Sequence, residues 1–121
     1  MPENHKDILQ KANAAILKGD YEGFLVFCTE DTEWTFVGDR TLKGKQAVRD
    51  WMAAEYKEPP KFEVHHLVAE NDFVAALGEI TLKDQSGTAA RHAYCDVWRF
   101  RDGRMAGLQA FVIEAGPQDR G

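Results

Sequence analysis

The stretch Thr88-Ala-Ala-Arg-His-Ala-Tyr-Cys-Asp-Val-Trp-Arg-Phe100 decides how this chain folds. Read as a strand, it puts His92, Tyr94, Asp96 and Trp98 on one face and Arg91, Cys95, Val97 and Arg99 on the other, because successive side chains alternate. Tyr94 and Trp98 belong to a core, but a carboxylate between them does not. A buried charge without a partner is costly. Asp96 is therefore expected either to pair with an Arg or a backbone amide near the sheet edge, or to sit in a pocket with a raised pKa.

Working outward, Lys61 to Ala69, Phe73 to Lys83 and Met105 to Glu114 also read as strands. The turn signals Asn71-Asp72, Asp84 to Gly87 and Arg101 to Gly103 join them to Thr88–Phe100 as a four-stranded meander. Upstream, Thr32 to Val37 alternates with Trp34 and Phe36 on one face, which predicts a fifth strand after a polar turn at Thr29 to Asp31. Helical spacing predicts helices over Asp7–Lys18, Tyr21–Cys28 and Lys45–Lys57, the last stopped by Pro59-Pro60. Three helices and five strands imply an α+β fold with the helices on one face of a strongly curved sheet.

The chain has 121 residues, with 15 Lys and Arg against 20 Asp and Glu, which describes one globular domain. Its core is expected over residues 7–114, with a flexible tail over 115–121. A domain of this size buries enough surface to need no metal or disulfide. The acidic balance argues against a nucleic acid partner. No apolar run approaches a membrane span, and Met1 to Lys11 is too polar for a signal peptide, so the expected location is cytoplasmic and away from membranes. Cys28 and Cys95 read as small buried hydrophobes.

Several chemistries are excluded. The one serine, Ser86, lies in a turn rather than a nucleophile elbow. Phosphate-cradling, dinucleotide and zinc-protease motifs are missing, so no cofactor is expected. His65 and His66 point to opposite faces of a strand and do not make a metal site.

Two further polar candidates remain. Phe62, Val64 and Val68 share a parity that His66 joins, making it either a core imidazole or a pocket group. A four-residue turn between Lys83 and Thr88 sets Glu79 opposite His92, whereas a three-residue turn sends Glu79 to the other face as an exposed cross-strand salt bridge.

The opening A-A-I-L-K-G-D-Y-E-G-F-L-V-F-C-T-E-D-T-E-W, the helix start L-K-G-K-Q-A-V-R-D-W and the closing C-D-V-W-R-F-R-D-G-R-M together resemble the nuclear-transport-factor-2-like superfamily. More narrowly, Asp7 to Glu114 resembles its SnoaL-like and ketosteroid-isomerase-like branch. That resemblance implies a cone, a cystatin-like α+β barrel whose curved mixed or antiparallel sheet wraps around helices and encloses a pocket for a small apolar molecule, often in a homodimer. It places Trp34, Phe36, Trp51, Met52, Glu79, His92, Tyr94, Asp96, Trp98, Leu108, Ala110 and Val112 in the pocket wall. In steroid isomerases the aspartate matching Asp96 stays protonated and donates a hydrogen bond to an oxyanion. Their general-base aspartate matches Phe36 here and their helix-one tyrosine matches Ala12. The epoxide hydrolases' arginine has no equivalent, since Arg91 and Arg99 have the wrong parity. His66, His92 and Asp96 imitate the histidine and aspartate set of scytalone-dehydratase-like members.

Three functions follow as expectations. In the first, an isomerase, lyase or cyclase acts beside the carbonyl of a small apolar metabolite, with Asp96 as acid or oxyanion donor, His92 or His66 moving the proton, and Glu79 orienting His92. In the second, the same pocket binds an apolar ligand without catalysis. In the third, the outer sheet face docks a second copy and the aromatic interior is only core.

Overall fold

The structure is a computed structural model describing residues 4–83 and 86–115. Of the expected flexible tail over 115–121, residues 116–121 lie outside the described residues. Helix α1 (His5–Leu17) begins at Asn4, whose side chain accepts the Asp7 backbone N–H at 2.9 Å. Helix α2 (Tyr21–Leu25) is capped in the same way by Asp20, which accepts from the Gly23 N–H. Strands β1 (Cys28–Phe36) and β2 (Arg40–Lys43) precede helix α3 (Lys45–Glu55). Strands β3 (Lys61–Glu70), β4 (Phe73–Lys83), β5 (Ala89–Arg101) and β6 (Arg104–Glu114) complete the chain.

The strands form one mixed, curved sheet in the order β2-β1-β6-β5-β4-β3, with β1 parallel to β6 and every other pair antiparallel. The helices cover its concave face, giving the α+β cone. Two hairpins use the expected turns: Asn71 (φ 55°) turns β3 into β4, while Asp102 (φ 53°) and Gly103 (φ 77°) turn β5 into β6.

Besides α2 ending at Leu25 rather than Cys28, three features of the strands differ from the sequence expectation. Among the described residues there are six strands rather than five, because the polar segment Arg40–Lys43 pairs along β1 despite having only Leu42 to pack inward. β1 starts at Cys28, so the polar residues Thr29 to Asp31 are strand rather than turn. They sit in an irregular stretch where the pairing with β6 shifts between Cys28 and Glu33, and Asp31 is held there by the Arg101 guanidinium at 2.7 Å. The third difference is a β-bulge in β3. Pairing passes from Val64↔Gly78 to His66↔Leu77, which leaves His65 without an opposite residue.

The core is aromatic and aliphatic, with Phe24, Leu25, Trp34, Val48, Met52, Trp98 and Met105 all buried. Trp34 is its centre. Its ring meets Phe24, Trp51 and Trp98 at centroid distances of 5.8, 6.2 and 5.5 Å, near-perpendicular to Phe24 and Trp98. It thereby ties β1 to α2, α3 and β5.

Gly78 marks where the bulge meets the core. A Cβ there would clash with the Glu63 carbonyl and come within 3.1 Å of the Tyr94 ring. Gly78→Ala is expected to destabilise the domain by about 1–3 kcal/mol. Urea denaturation checks this as a lowered midpoint with an unchanged slope.

Candidate functional site

The inner sheet face reads as rows of side chains across the strands. One row carries Val74, Trp98, Leu108 and Trp34; the next carries Ala76, Asp96, Ala110 and Phe36; the third carries Gly78, Tyr94 and Val112. Large residues fill the first row. In the second, both cross-strand neighbours of Asp96 are alanines. Two missing side chains beside a small carboxyl leave a void, and the rings of Trp34, Trp51, Tyr56, Phe62 and Tyr94 wall it in. The cavity measures about 110 Å³.

Asp96 is the acidic group in this wall. The surface it retains opens into the cavity, while protein surrounds the rest of the carboxyl. Among the described residues it has no hydrogen-bond or ion-pair partner. Burial alone pushes its pKa from 3.8 up to about 7. Tyr94 and Tyr56 have raised pKa values, first through burial and then through the charge of Asp96, so both hydroxyls stay protonated. The Trp34 indole Nε1 is buried with no acceptor among the described residues.

The structure places Trp34, Phe36, Trp51, Tyr94, Asp96, Trp98, Leu108, Ala110 and Val112 in the cavity wall. Met52 is not there: it is buried in the core, 1% exposed. His66 is not on the inner face, because the bulge at His65 reverses the parity of β3 and leaves His66 exposed opposite Leu77. Glu79 does not face His92. Lys83 pairs with Ala89, so five residues rather than four separate the paired positions, and Glu79 lies opposite Ala93 with its carboxylate 3.7 Å from Arg91. The alternative, a salt bridge on the outer face, is what forms, by way of a five-residue turn rather than a three-residue one, and the orienting role of Glu79 falls away.

His92 keeps the inner parity but lies opposite Ile80, outside the cavity wall. Its Nδ1 is 3.1 Å from the Ala90 carbonyl oxygen. The triad of His66, His92 and Asp96 is therefore not assembled. Among the described residues no three His, Cys, Asp or Glu side chains converge on a metal position. Among the described residues no helix is long and apolar enough to cross a membrane.

Sequence reasoning missed Asn13, Ile16, Phe24, Tyr56, Pro60, Phe62, Ala76 and Ile80 in the wall. Phe62 shares the parity of Val64, and Ala76 and Ile80 share that of Gly78, so alternation carried a signal for them. Asn13 and Tyr56 come from helices, where only packing decides which flank of the buried stripe meets the cavity.

The sequence profile of the SnoaL-like domain matches residues 9–108. No curated protein matches the chain in sequence. Its fold is similar to an NTF2-like protein of unknown function from Burkholderia pseudomallei, at 19% identity and TM-score 0.79 over 89% of each chain. It is similar to an LEH-like epoxide hydrolase from M. tuberculosis, at 14% identity and TM-score 0.78, over 89% of this chain and 81% of that one. It is also similar to SalBIII, an epoxide hydrolase/cyclase-like enzyme in pyran ring formation, at 21% identity and TM-score 0.80 over 89% of each chain.

The raised pKa of Asp96 couples stability to pH. Between pH 4 and about 7 the native protein keeps a proton that the unfolded chain has released, so stability falls as pH rises through that window and levels off above it. The slope contributed is at most about 1.4 kcal/mol per pH unit. Asp96→Asn removes it. Thermal melts at pH 4, 6 and 8 are expected to show the variant gaining on the wild type as pH increases.

Proposed function

The chain belongs to the SnoaL-like domain family, and from that premise we propose that it is a pocket protein doing acid/base chemistry on a small apolar metabolite that carries a carbonyl group. One observation carries the reading: an unpartnered Asp96 carboxyl opens into a cavity whose other walls are rings and aliphatic side chains. Protonated, Asp96 donates a hydrogen bond to a carbonyl oxygen and stabilises the negative charge that develops there. Ionised, it removes a proton from the neighbouring carbon and returns it elsewhere. A group with a pKa near 7 populates both forms at neutral pH. Isomerisation, elimination and ring closure all use such a group, and the similarity to an epoxide hydrolase and a cyclase-like enzyme supports this as analogy of fold.

A second reading, binding without turnover, is favoured by the placement of His92 and Glu79 outside the cavity, which leaves Asp96 without a histidine partner. Hydrogen–deuterium exchange separates the two. With cyclohexanone in deuterated water, the first reading expects NMR to show exchange at the α-carbon accelerated by the wild type and lost in Asp96→Asn. Quenching of tryptophan fluorescence by cyclohexanone, with equal exchange in both proteins, selects the binder.

We also propose a homodimer through the outer sheet face. There Phe73, Leu77, Phe111 and Ile113 stand 38–70% exposed, and Phe111, Cys95 and Leu77 lie directly side by side on three adjacent strands. Sedimentation at micromolar concentration is expected to show a dimer that Phe111→Glu converts to monomer. A monomeric wild type overturns this interface.

A further inference from the structure

Asn13 of α1 and Phe62 of β3 stand at the border of two spaces. Both residues line the inner cavity and also a larger groove, of about 640 Å³, between α1 and β3. Phe62 is half-buried, and Tyr94 meets its ring edge-on at 6.5 Å. The Asn13 side chain is half-buried and makes no hydrogen bond among the described residues. Beyond these two, Ala14, Leu17, Val64 and Leu67 give the groove an apolar wall, and Lys6, Gln10, Glu63, His65 and His66 give it a polar rim. The bulge at His65 bends β3 along this same stretch.

The inner cavity, at about 110 Å³, is smaller than the ~150 Å³ cavity known to hold a benzene ring. A ligand larger than a few carbons must extend out of it, and Asn13 and Phe62 line both the cavity and the groove. We propose that the ligand is an elongated carbonyl compound: a small head in the inner cavity with its oxygen at Asp96, and a flexible apolar tail that passes between Asn13 and Phe62 into the groove between α1 and β3. Compact fused-ring molecules fit this space poorly. The Asn13 amide, beside the passage, offers a donor and an acceptor to a second polar atom at the junction of head and tail. This inference rests on the reading of Asp96 as the cavity's polar anchor.

Two ketones of different tail length test it. 2-Butanone and 2-octanone share the same small methyl ketone head, and titrations at pH 6 follow quenching of the tryptophans that line the cavity. 2-Octanone is expected to bind the wild type at least about tenfold more tightly, as burial of four added methylenes allows. In Leu17→Glu, which places a charge in the groove at a residue 45% exposed, that ratio is expected to fall to within roughly twofold. 2-Butanone binding with no gain for the longer ketone, or a gain that survives Leu17→Glu, overturns the placement of the tail alone. Failure of both ketones to bind overturns the anchor at Asp96 and the tail with it.

Discussion

The architecture depends on the packing of one indole. Trp34 stands on β1 with Phe24, Trp51 and Trp98 around it, so a single ring is shared by a strand, two helices and the strand that carries Asp96. Edge-to-face contacts of this kind fix ring orientation as well as burial. Because Trp34 and Trp98 both flank Leu108 on β6, the same contact sets how tightly the sheet curls over its helices. The aromatic wall of the cavity follows from that curvature, since Trp51 and Tyr56 approach the sheet only as far as the rings beneath them allow.

Above this rigid layer the chemistry comes from what is missing. Ala76 and Ala110 flank Asp96, where larger aliphatic residues would close the space and force the carboxyl out or into a partner's reach. The void and the raised pKa thus share one cause. A carboxyl set between small neighbours, away from any guanidinium among the described residues, has no partner there and keeps only the surface that opens into the cavity. Arg91 and Arg99, the cations nearest in sequence, are kept on the opposite face by strand alternation.

Alternation also explains how far the sequence was readable. On β5 and β6 no interruption intervenes over the functional stretch, and the parity of Tyr94, Asp96, Trp98, Leu108 and Ala110 could be read directly. On β3 a single extra residue at the bulge sent His66 outward, and nothing in Lys61–Glu70 announces where such a residue falls. Between β4 and β5 a loop one residue longer than expected moved Glu79 to the far face. Both errors have the same form, because strand periodicity is two and any slip by one inverts a face. Asn13 was illegible for a different reason: it borders the buried stripe of α1, and which border meets the cavity depends on the docking of the whole helix.

The strand order has a consequence in time. β6, made after the other five described strands, pairs with the first of them, β1, and sits between β1 and β5 in the finished sheet. The two halves of the sheet share no strand pairing until β6 arrives, so the edge of β1 that it covers waits unpaired while β2 to β5 are made. Non-local closure of this kind is slow, and it leaves apolar strands open to mispairing with other chains in the interval. Nascent molecules of this protein therefore pass through a vulnerable stage that ends only when β6 has been inserted.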